Sequence, residues 1–421
     1  SIDLQSEGGP QPRLPMGIRT PGQCGLRVNL AASSKIRSSR YEAVGRYVAI
    51  VVALFAVVFV PPLAVIEWVG WGLGATVPLS VIAAEQSRHE RLVWLGAFKD
   101  YAPYKLERIK QVQPEVLLVG SSRCGQARAQ IFRPYATYNA CLTAWPLTHV
   151  VDFIDRATTA AKPRVVIVAL DYFLFGDFLA DAWRKERTMD FSQGIESHRR
   201  KLHDVADFAM RMGLDSRTIL TAAMSPQFEP VDNNRLIGTE AIRGKFGFRS
   251  DGSVMVAPPY RAVAAETLSR GAQYVTSSFP GAPHLSERQM GEIERLSRLS
   301  QERGFAVVAI QYPFLESAAA FLDTNEAYWP YSGLWRELRS KQTAERFSTL
   351  GIQFFDMSRT QISQDTENFF DPAHPSERGM LKTFLALMAQ PEFGKLFPKI
   401  DRDALATDLD RTRDEQFDLY H

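Results

Sequence analysis

The chain has 421 residues, 45% of them hydrophobic and 23% charged, a globular composition on a chain longer than one ordinary domain. Its formal net charge of +2 argues against a nucleic acid or a strongly acidic partner. The three cysteines, Cys24, Cys124 and Cys141, exclude a disulfide-rich scaffold and match no zinc spacing, so we predict neither a metal nor a cofactor.

The amino-terminal part predicts a membrane anchor. The first 40 residues are rich in Gly, Pro, Ser and Arg without an aromatic residue, so we predict a flexible basic tail over 1–45. Tyr47 to Ile66 is an uncharged run of 20 residues, long enough to cross ~30 Å of hydrocarbon, and we predict a transmembrane helix over 46–67. Pro61 and Pro62 are expected to kink or end it. A cleaved signal peptide is the alternative.

Charge around this run predicts the orientation. Basic residues outnumber acidic ones ahead of it, which places the tail in the cytoplasm and the main domain in the periplasm or outside the cell. We therefore expect a single-pass membrane protein. Residues 68–113 are predicted as a juxtamembrane stalk, in which the uncharged stretch Val69 to Ala84 lies along the interface rather than crossing again.

Beyond residue 114 the pattern predicts an α/β domain over 114–400. Short apolar runs alternate with helix-length stretches, which implies a parallel sheet covered by helices. The predicted strands are Val116 to Val119, Thr137 to Ala140, Val165 to Leu170, Ala306 to Gln311 and Ile352 to Phe355. The interval of about 130 residues before the fourth strand is too long for a crossover. We interpret 175–283 as a helical insertion forming a wall of the cleft, and 401–421 as a polar tail or helix.

The stretch from Glu115 to Gln130 predicts a strand, a tight turn and a helix. Gly120 permits the turn and places Ser122 at the carboxyl end of a buried strand, where open α/β sheets bind their ligands. Ser122 is the candidate nucleophile. Ser121 is its rival, with a helix N-cap as the alternative role.

The segment Asn368 to Gly379 supplies a candidate base and its partner. Asp371 and His374 are three residues apart, and Pro372 and Pro375 keep the segment out of regular structure. A turn at this spacing brings the carboxylate to Nδ1 of the imidazole and leaves Nε2 free for a serine. Arg123, beside the nucleophile, has two open roles, binding an anionic substrate or pairing with a carboxylate.

These motifs resemble the SGNH (GDSL-like) hydrolase superfamily, over roughly Pro114 to Asp171 and Phe305 to Gly379. They are most similar to its membrane-anchored bacterial members that act on cell-envelope polymers, such as DltD, the D-alanyl transfer protein, and alginate acetylation proteins. The resemblance implies a flavodoxin-like three-layer sandwich with a Ser122, His374, Asp371 triad. Its second block falls on Asn139 to Ala144, where the backbone N–H of Ala144 would serve the oxyanion. Its third block, G-x-N-D, has no good match, because the third strand ends in Asp171. Asp171 has two open roles, a cap at the strand end or a substrate-binding residue that contacts a sugar hydroxyl.

The function that the resemblance implies is extracytoplasmic transfer of an acetyl or other acyl group to a cell-envelope polysaccharide or glycolipid, through an acyl-serine. It also implies that the membrane crossed is the bacterial inner membrane. The expected partners are the membrane, that glycan and a membrane-bound O-acyltransferase supplying the acyl group, with no nucleic acid. Two alternatives stay open, a carbohydrate esterase and a non-catalytic envelope protein that binds polymer or organises a complex. Cys124 and Cys141 follow neighbouring strands, and an oxidising compartment would permit a bridge between them.

Overall fold

The computed structural model describes residues 30–95, 101–143, 146–186, 195–211, 230–231, 234–244, 246–256, 261, 266–279, 281–324, 332–412 and 415–420. The chain forms two compact units, Ser1–Pro62 and Leu63–His421. Its first helix, α1, spans Leu30–Gly72, and the part from Tyr41 to Gly72 is long and apolar enough to cross a membrane, with none of its apolar window buried.

Helix α1 differs from the sequence prediction at both ends. Of the predicted flexible tail, 1–29 lies outside the described residues, whereas 30–45 is helical, because no glycine or proline interrupts the chain from Leu30 to Val44. Pro61 and Pro62 do not end the helix, which continues to Gly72. Prolines are commoner within membrane-spanning helices than within soluble ones, in keeping with the apolar sequence around this pair.

The main sheet confirms the prediction of five parallel strands. The strands are β2 (Val116–Gly120), β3 (Thr137–Cys141), β4 (Val165–Ala169), β9 (Ala306–Gln311) and β10 (Ile352–Asp356). They lie in the order β3-β2-β4-β9-β10, a doubly wound order in which ligands bind where the strand order reverses, between β2 and β4. Gly120 of β2 pairs in register with Ala169 of β4 at that point.

Both faces of this sheet are covered. Successive side chains of a strand point to opposite faces, so Leu117 and Val119 of β2 join one core while Val116 and Leu118 join another. The first core includes helices α4 (Leu147–Ala160) and α9 (Glu287–Arg303), and the second includes α13 (Glu377–Met388) and α15 (Arg402–Arg411). The continuous apolar runs of the sequence are therefore strands buried on both sides.

The interval 175–283 is not a purely helical insertion, and that prediction is wrong in this respect. Its described residues contribute four short strands, β5 (Pro230–Val231), β6 (Asn234–Ile237), β7 (Gly247–Phe248) and β8 (Val254–Met255). They form a second sheet of order β5-β6-β1-β7-β8, whose central strand β1 (Arg91–Val93) comes from residues ahead of the α/β domain. Strands of two to four residues show no recognisable alternation in sequence.

Residues 68–113, predicted as a stalk, pack into the second unit. Leu73, Leu79 and Ile82 are buried, and so are Tyr104 and Lys105 of the following helix. The apolar side of each helix is covered by the body. Lys105 is buried with it because its ammonium group donates to the carbonyls of Asn139 and Gly252. The two helices are α2 (Leu79–Arg88) and α3 (Tyr101–Val112).

Among the described residues, the remaining helices lie in the insertion, between β9 and β10, and after α13. They are α5 (Asp177–Glu186), α6 (Ile195–Arg211), α7 (Thr239–Gly244), α8 (Gly271–Ser278), α10 (Glu316–Thr324), α11 (Gly333–Leu338), α12 (Lys341–Thr349) and α14 (Pro391–Gly394). Residues 401–421, predicted as a polar tail or helix, contain α15 and then a segment in which Phe417 and Leu419 are buried.

Candidate active site

Ser122 lies directly beyond β2, at the point where the strand order of the main sheet reverses. Gly120 ends the strand with φ +144°, and a Cβ there would lie 2.6 Å from the Cβ of Ala169, so both conformation and space require glycine. Ser121 is extended and caps a short 3-10 helix, Ser122–Cys124, by accepting a hydrogen bond from the Arg123 N–H. Ser122 therefore opens the helix with its side chain half-buried.

His374 and Asp371 lie on the loop between β10 and α13. One oxygen of Asp371, Oδ1, accepts hydrogen bonds of 2.9 Å from the N–H groups of Ala373 and His374, which closes the turn. A bridge between Phe369 and Pro375 holds the two ends of the loop together. The carboxylate is thereby fixed 2.8 Å from Nδ1 of His374.

The structure brings Ser122, His374 and Asp371 into one hydrogen-bonded chain. Nε2 of His374 lies 2.7 Å from Oγ of Ser122, while its Nδ1 faces Asp371. A proton on Nδ1 is favoured by the carboxylate, which leaves Nε2 to accept from the serine hydroxyl. Burial raises the pKa of Asp371, but the charge and hydrogen bond of His374, and the Ala373 N–H, outweigh burial and hold it below its ordinary value. The carboxylate is therefore ionised beside the imidazole.

Such a chain is the arrangement by which a histidine activates a serine nucleophile. Comparison with family models, curated proteins and solved structures finds no match.

Ser121 has no access to a substrate. Its side chain is buried, and its hydroxyl donates a hydrogen bond of 2.5 Å to Oδ2 of Asp171. The rival nucleophile is thus occupied as a cap and as a partner of a carboxylate, and Ser122 is the serine that faces the histidine.

Arg123 and Asp171 do not line the site, so neither has the substrate-binding role that was one of two open roles for each. Both side chains are fully buried and form an ion pair. Arg123 also donates to the carbonyls of Ala373, Tyr312 and Pro313, at 2.6 to 2.7 Å. Of the two roles open for Arg123, pairing with a carboxylate is the one found. Its hydrogen bond to the Ala373 carbonyl ties the Ser122 turn to the His374 loop.

Asn139 is likewise buried and does not face a substrate. Its Nδ2 donates to the carbonyls of Cys124 and Ala127, at 2.9 and 2.7 Å, and its Oδ1 accepts from the Cys141 N–H. The side chain fastens the turn after Ser122 to β3. Ala144, predicted as an oxyanion donor, lies outside the described residues.

A disulfide joins Cys124 to Cys141, with their Cα atoms 5.7 Å apart. The bridge proposed from sequence is thus present in the structure. It links the helix that begins at Ser122 to the end of β3, and both half-cystines are buried.

Tyr274, a residue that the sequence analysis did not single out, contacts the site from α8 in the insertion. Its hydroxyl donates a 2.9 Å hydrogen bond to Oδ2 of Asp371. Burial, and then the neighbouring carboxylate, raise the pKa of Tyr274 well above its usual range, so the phenol keeps its proton. No spacing in the sequence could have revealed the contact, because 97 residues separate the partners.

A hairpin formed by β7 and β8 packs beside the nucleophile. The N–H of Val254 donates to the Gly125 carbonyl at 2.8 Å, and the Asn139 N–H donates to the Asp251 carbonyl at 2.8 Å. Asp251 also pairs with Arg128 at 3.0 Å. The Asp251-Gly252 dipeptide is the turn signal through which sequence could have located this hairpin.

Next to the hairpin, Ser122 and His374 open onto a cavity of about 140 Å³. Its other lining residues are Gln126, Leu142, Val254, Val256 and Phe370. Within the described part of the chain, no cluster of three or more His, Cys, Asp or Glu side chains could hold a metal ion.

Proposed function

We propose that this protein is a serine acyltransferase of the SGNH type that acylates a hydroxyl of a cell-envelope polysaccharide or glycolipid. One observation carries the proposal. Oγ of Ser122 lies 2.7 Å from Nε2 of His374, whose Nδ1 lies 2.8 Å from Asp371. The resemblance in the sequence supports the same three roles, and the apolar helix supports a place at a membrane.

The reaction proceeds in two balanced halves. Ser122 attacks the carbonyl carbon of an acyl donor while His374 takes the hydroxyl proton at Nε2. The tetrahedral intermediate collapses, its leaving alcohol takes that proton, and the acyl group stays on Ser122. An acceptor hydroxyl then attacks the acyl-serine and gives its proton to His374, which returns it to Ser122 as the ester leaves.

Stabilisation of the oxyanion falls to the backbone. Ser122 occupies the first position of its helical turn, where N–H groups have no partner within the helix. The family's second donor corresponds to residue 144. Its third donor, an asparagine after the third strand, is replaced by Asp171, which is engaged with Arg123 and Ser121. This replacement favours the alternative of a non-catalytic polymer-binding protein.

A serine-reactive fluorophosphonate decides between the two. We expect the purified protein to be labelled at Ser122, and the Ser122→Ala variant to lose labelling. Ser269→Ala, at an exposed serine of the insertion, is the matched control and should label like the parent. Unlabelled, folded parent protein would reject catalysis and leave polymer binding.

The acceptor distinguishes a transferase from an esterase. Incubating the protein with p-nitrophenyl acetate and an oligosaccharide should yield acetylated sugar in addition to nitrophenol. Free acetate alone would identify the protein as a hydrolase, since water would then be the sole acceptor for the acyl-serine.

A further inference from the structure

The cavity beside Ser122 is walled mainly by hydrocarbon. Leu142, Val254, Val256 and Phe370 line it together with the serine and histidine, and Gln126 is its one other polar neighbour among the described residues. Groups that occupy this space lie against Ser122 itself. They must belong to one side of the ester that the serine attacks.

The walls favour the acyl side of that ester. A glycan presents hydroxyl groups, which would lose their hydrogen bonds to water against four apolar side chains without gaining replacements. An acyl chain loses nothing by entering, and each buried methylene is stabilised by transfer out of water. The polar acceptor therefore approaches from the open side, and the acyl chain lies in the cavity.

Volume sets the length of that chain. An engineered apolar cavity of about 150 Å³ holds benzene, a ligand of about six carbon atoms. The cavity here, about 140 Å³, thus has room for an acyl group of similar size.

The wall that sets this limit is fastened to the nucleophile's own turn. Val254 donates its N–H to the carbonyl of Gly125, three residues after Ser122. Gly252 packs so closely on β3 that a Cβ there would lie 2.1 Å from the Asn139 carbonyl oxygen. A wall held by backbone hydrogen bonds and close contact does not swing aside to admit a longer chain.

We propose that Ser122 accepts short acyl groups, of up to about six carbon atoms, and that Val254 of the inserted hairpin sets the upper length. This inference rests on the proposed acyl-serine chemistry. It adds that the insertion selects the acyl donor.

The test uses phosphonate p-nitrophenyl esters with alkyl groups from methyl to dodecyl, because their covalent capture by a serine requires no turnover. Capture rates of the parent protein should rise roughly fourfold per methylene up to about butyl or hexyl, then fall at least tenfold for octyl and dodecyl. Val254→Ala should shift the optimum to longer chains. Val254→Phe should preserve methyl capture and abolish hexyl capture.

Val81→Ala is the matched control, because Val81 is an exposed valine of α2 that does not line the cavity. This substitution removes the same volume as Val254→Ala and should leave the profile of capture rate against chain length unchanged. Equal or faster capture of the dodecyl ester by the parent would overturn the length limit while leaving the serine chemistry intact. Capture of no ester at Ser122 would instead reject the proposed function. If Val254→Ala fails to fold, Val256→Ala tests the same wall.

Discussion

At the scale of single residues, the site depends on how Asp371 is held. Its two oxygens accept hydrogen bonds from backbone N–H groups, from His374 and from Tyr274, so a buried carboxylate stays charged. A charged carboxylate keeps the imidazole in the tautomer that accepts the Ser122 proton. Tyr274 is therefore a positioning residue that acts through Asp371.

Replacing Tyr274 with phenylalanine should lower the capture or turnover rate at Ser122 about tenfold or more, since hydrogen bonds to charged groups contribute about 1.5 to 3 kcal/mol. The folded pKa of Asp371 is depressed, and losing one donor raises it, so the part of the acid limb that is due to protonation of this carboxylate should move to higher pH. The profile of kcat/KM against pH measures this. Gln273→Ala, exposed on the same helix, should leave the limb in place.

At the scale of elements, the β7-β8 hairpin is held by a buried ion pair. Burial raises the pKa of Asp251, but Arg128, Ser253 and Arg249 outweigh burial and lower it to about 2. A depressed folded pKa stabilises the protein above the unfolded value of about 4, and that contribution, about 2 kcal/mol, disappears as the pH falls from 4 to 2.

Asp251→Asn should accordingly lower the melting temperature at pH 7 and flatten the loss of stability between pH 4 and pH 2. Calorimetry at several pH values provides the measurement. Glu302→Gln, at an exposed carboxylate of α9, should leave stability at pH 7 unchanged. An acid transition of undiminished size in Asp251→Asn would assign it to other carboxylates.

The disulfide between Cys124 and Cys141 predicts a thiol count. Denatured, unreduced protein should titrate one thiol, Cys24, and three after reduction. In the chain-entropy account, closing the loop between Cys124 and Cys141 contributes about 3 kcal/mol to the free energy of unfolding. The Cys124→Ser, Cys141→Ser double variant should therefore melt several degrees lower. Three thiols before reduction would contradict the bridge.

The elements also show what sequence can and cannot predict. The five parallel strands were predictable because burial on both faces demands continuous apolar runs such as Val116 to Val119. Asp371 and His374 were predictable because a turn joins them locally. The roles of Asp171 and Arg123 were not, since which buried charges pair depends on side chains that meet only in the folded sheet. Tyr274 and Val254 reach the site for the same reason.

At the scale of the whole molecule, the excess of basic residues ahead of the apolar part of α1 predicts a cytoplasmic tail and an exported body. Cys24 can serve as a probe for the side of the membrane on which the tail lies, because the other two cysteines are bridged. A membrane-impermeant maleimide should label Cys24 only after spheroplasts are lysed, whereas a Ser269→Cys reporter in the body should react in intact spheroplasts. Labelling with the reverse pattern would invert the topology.

The nucleophile and its base are 252 residues apart in the chain, and the hairpin that lines the cavity beside Ser122 lies between them in sequence. During synthesis, segments of the chain emerge in linear order. A nascent chain that already includes Ser122 and Val254 still lacks the imidazole, so its serine is an ordinary alcohol. Under the proposed function, acyl transfer therefore begins only when the last strand and its loop dock, which protects acyl donors from incomplete copies of the protein.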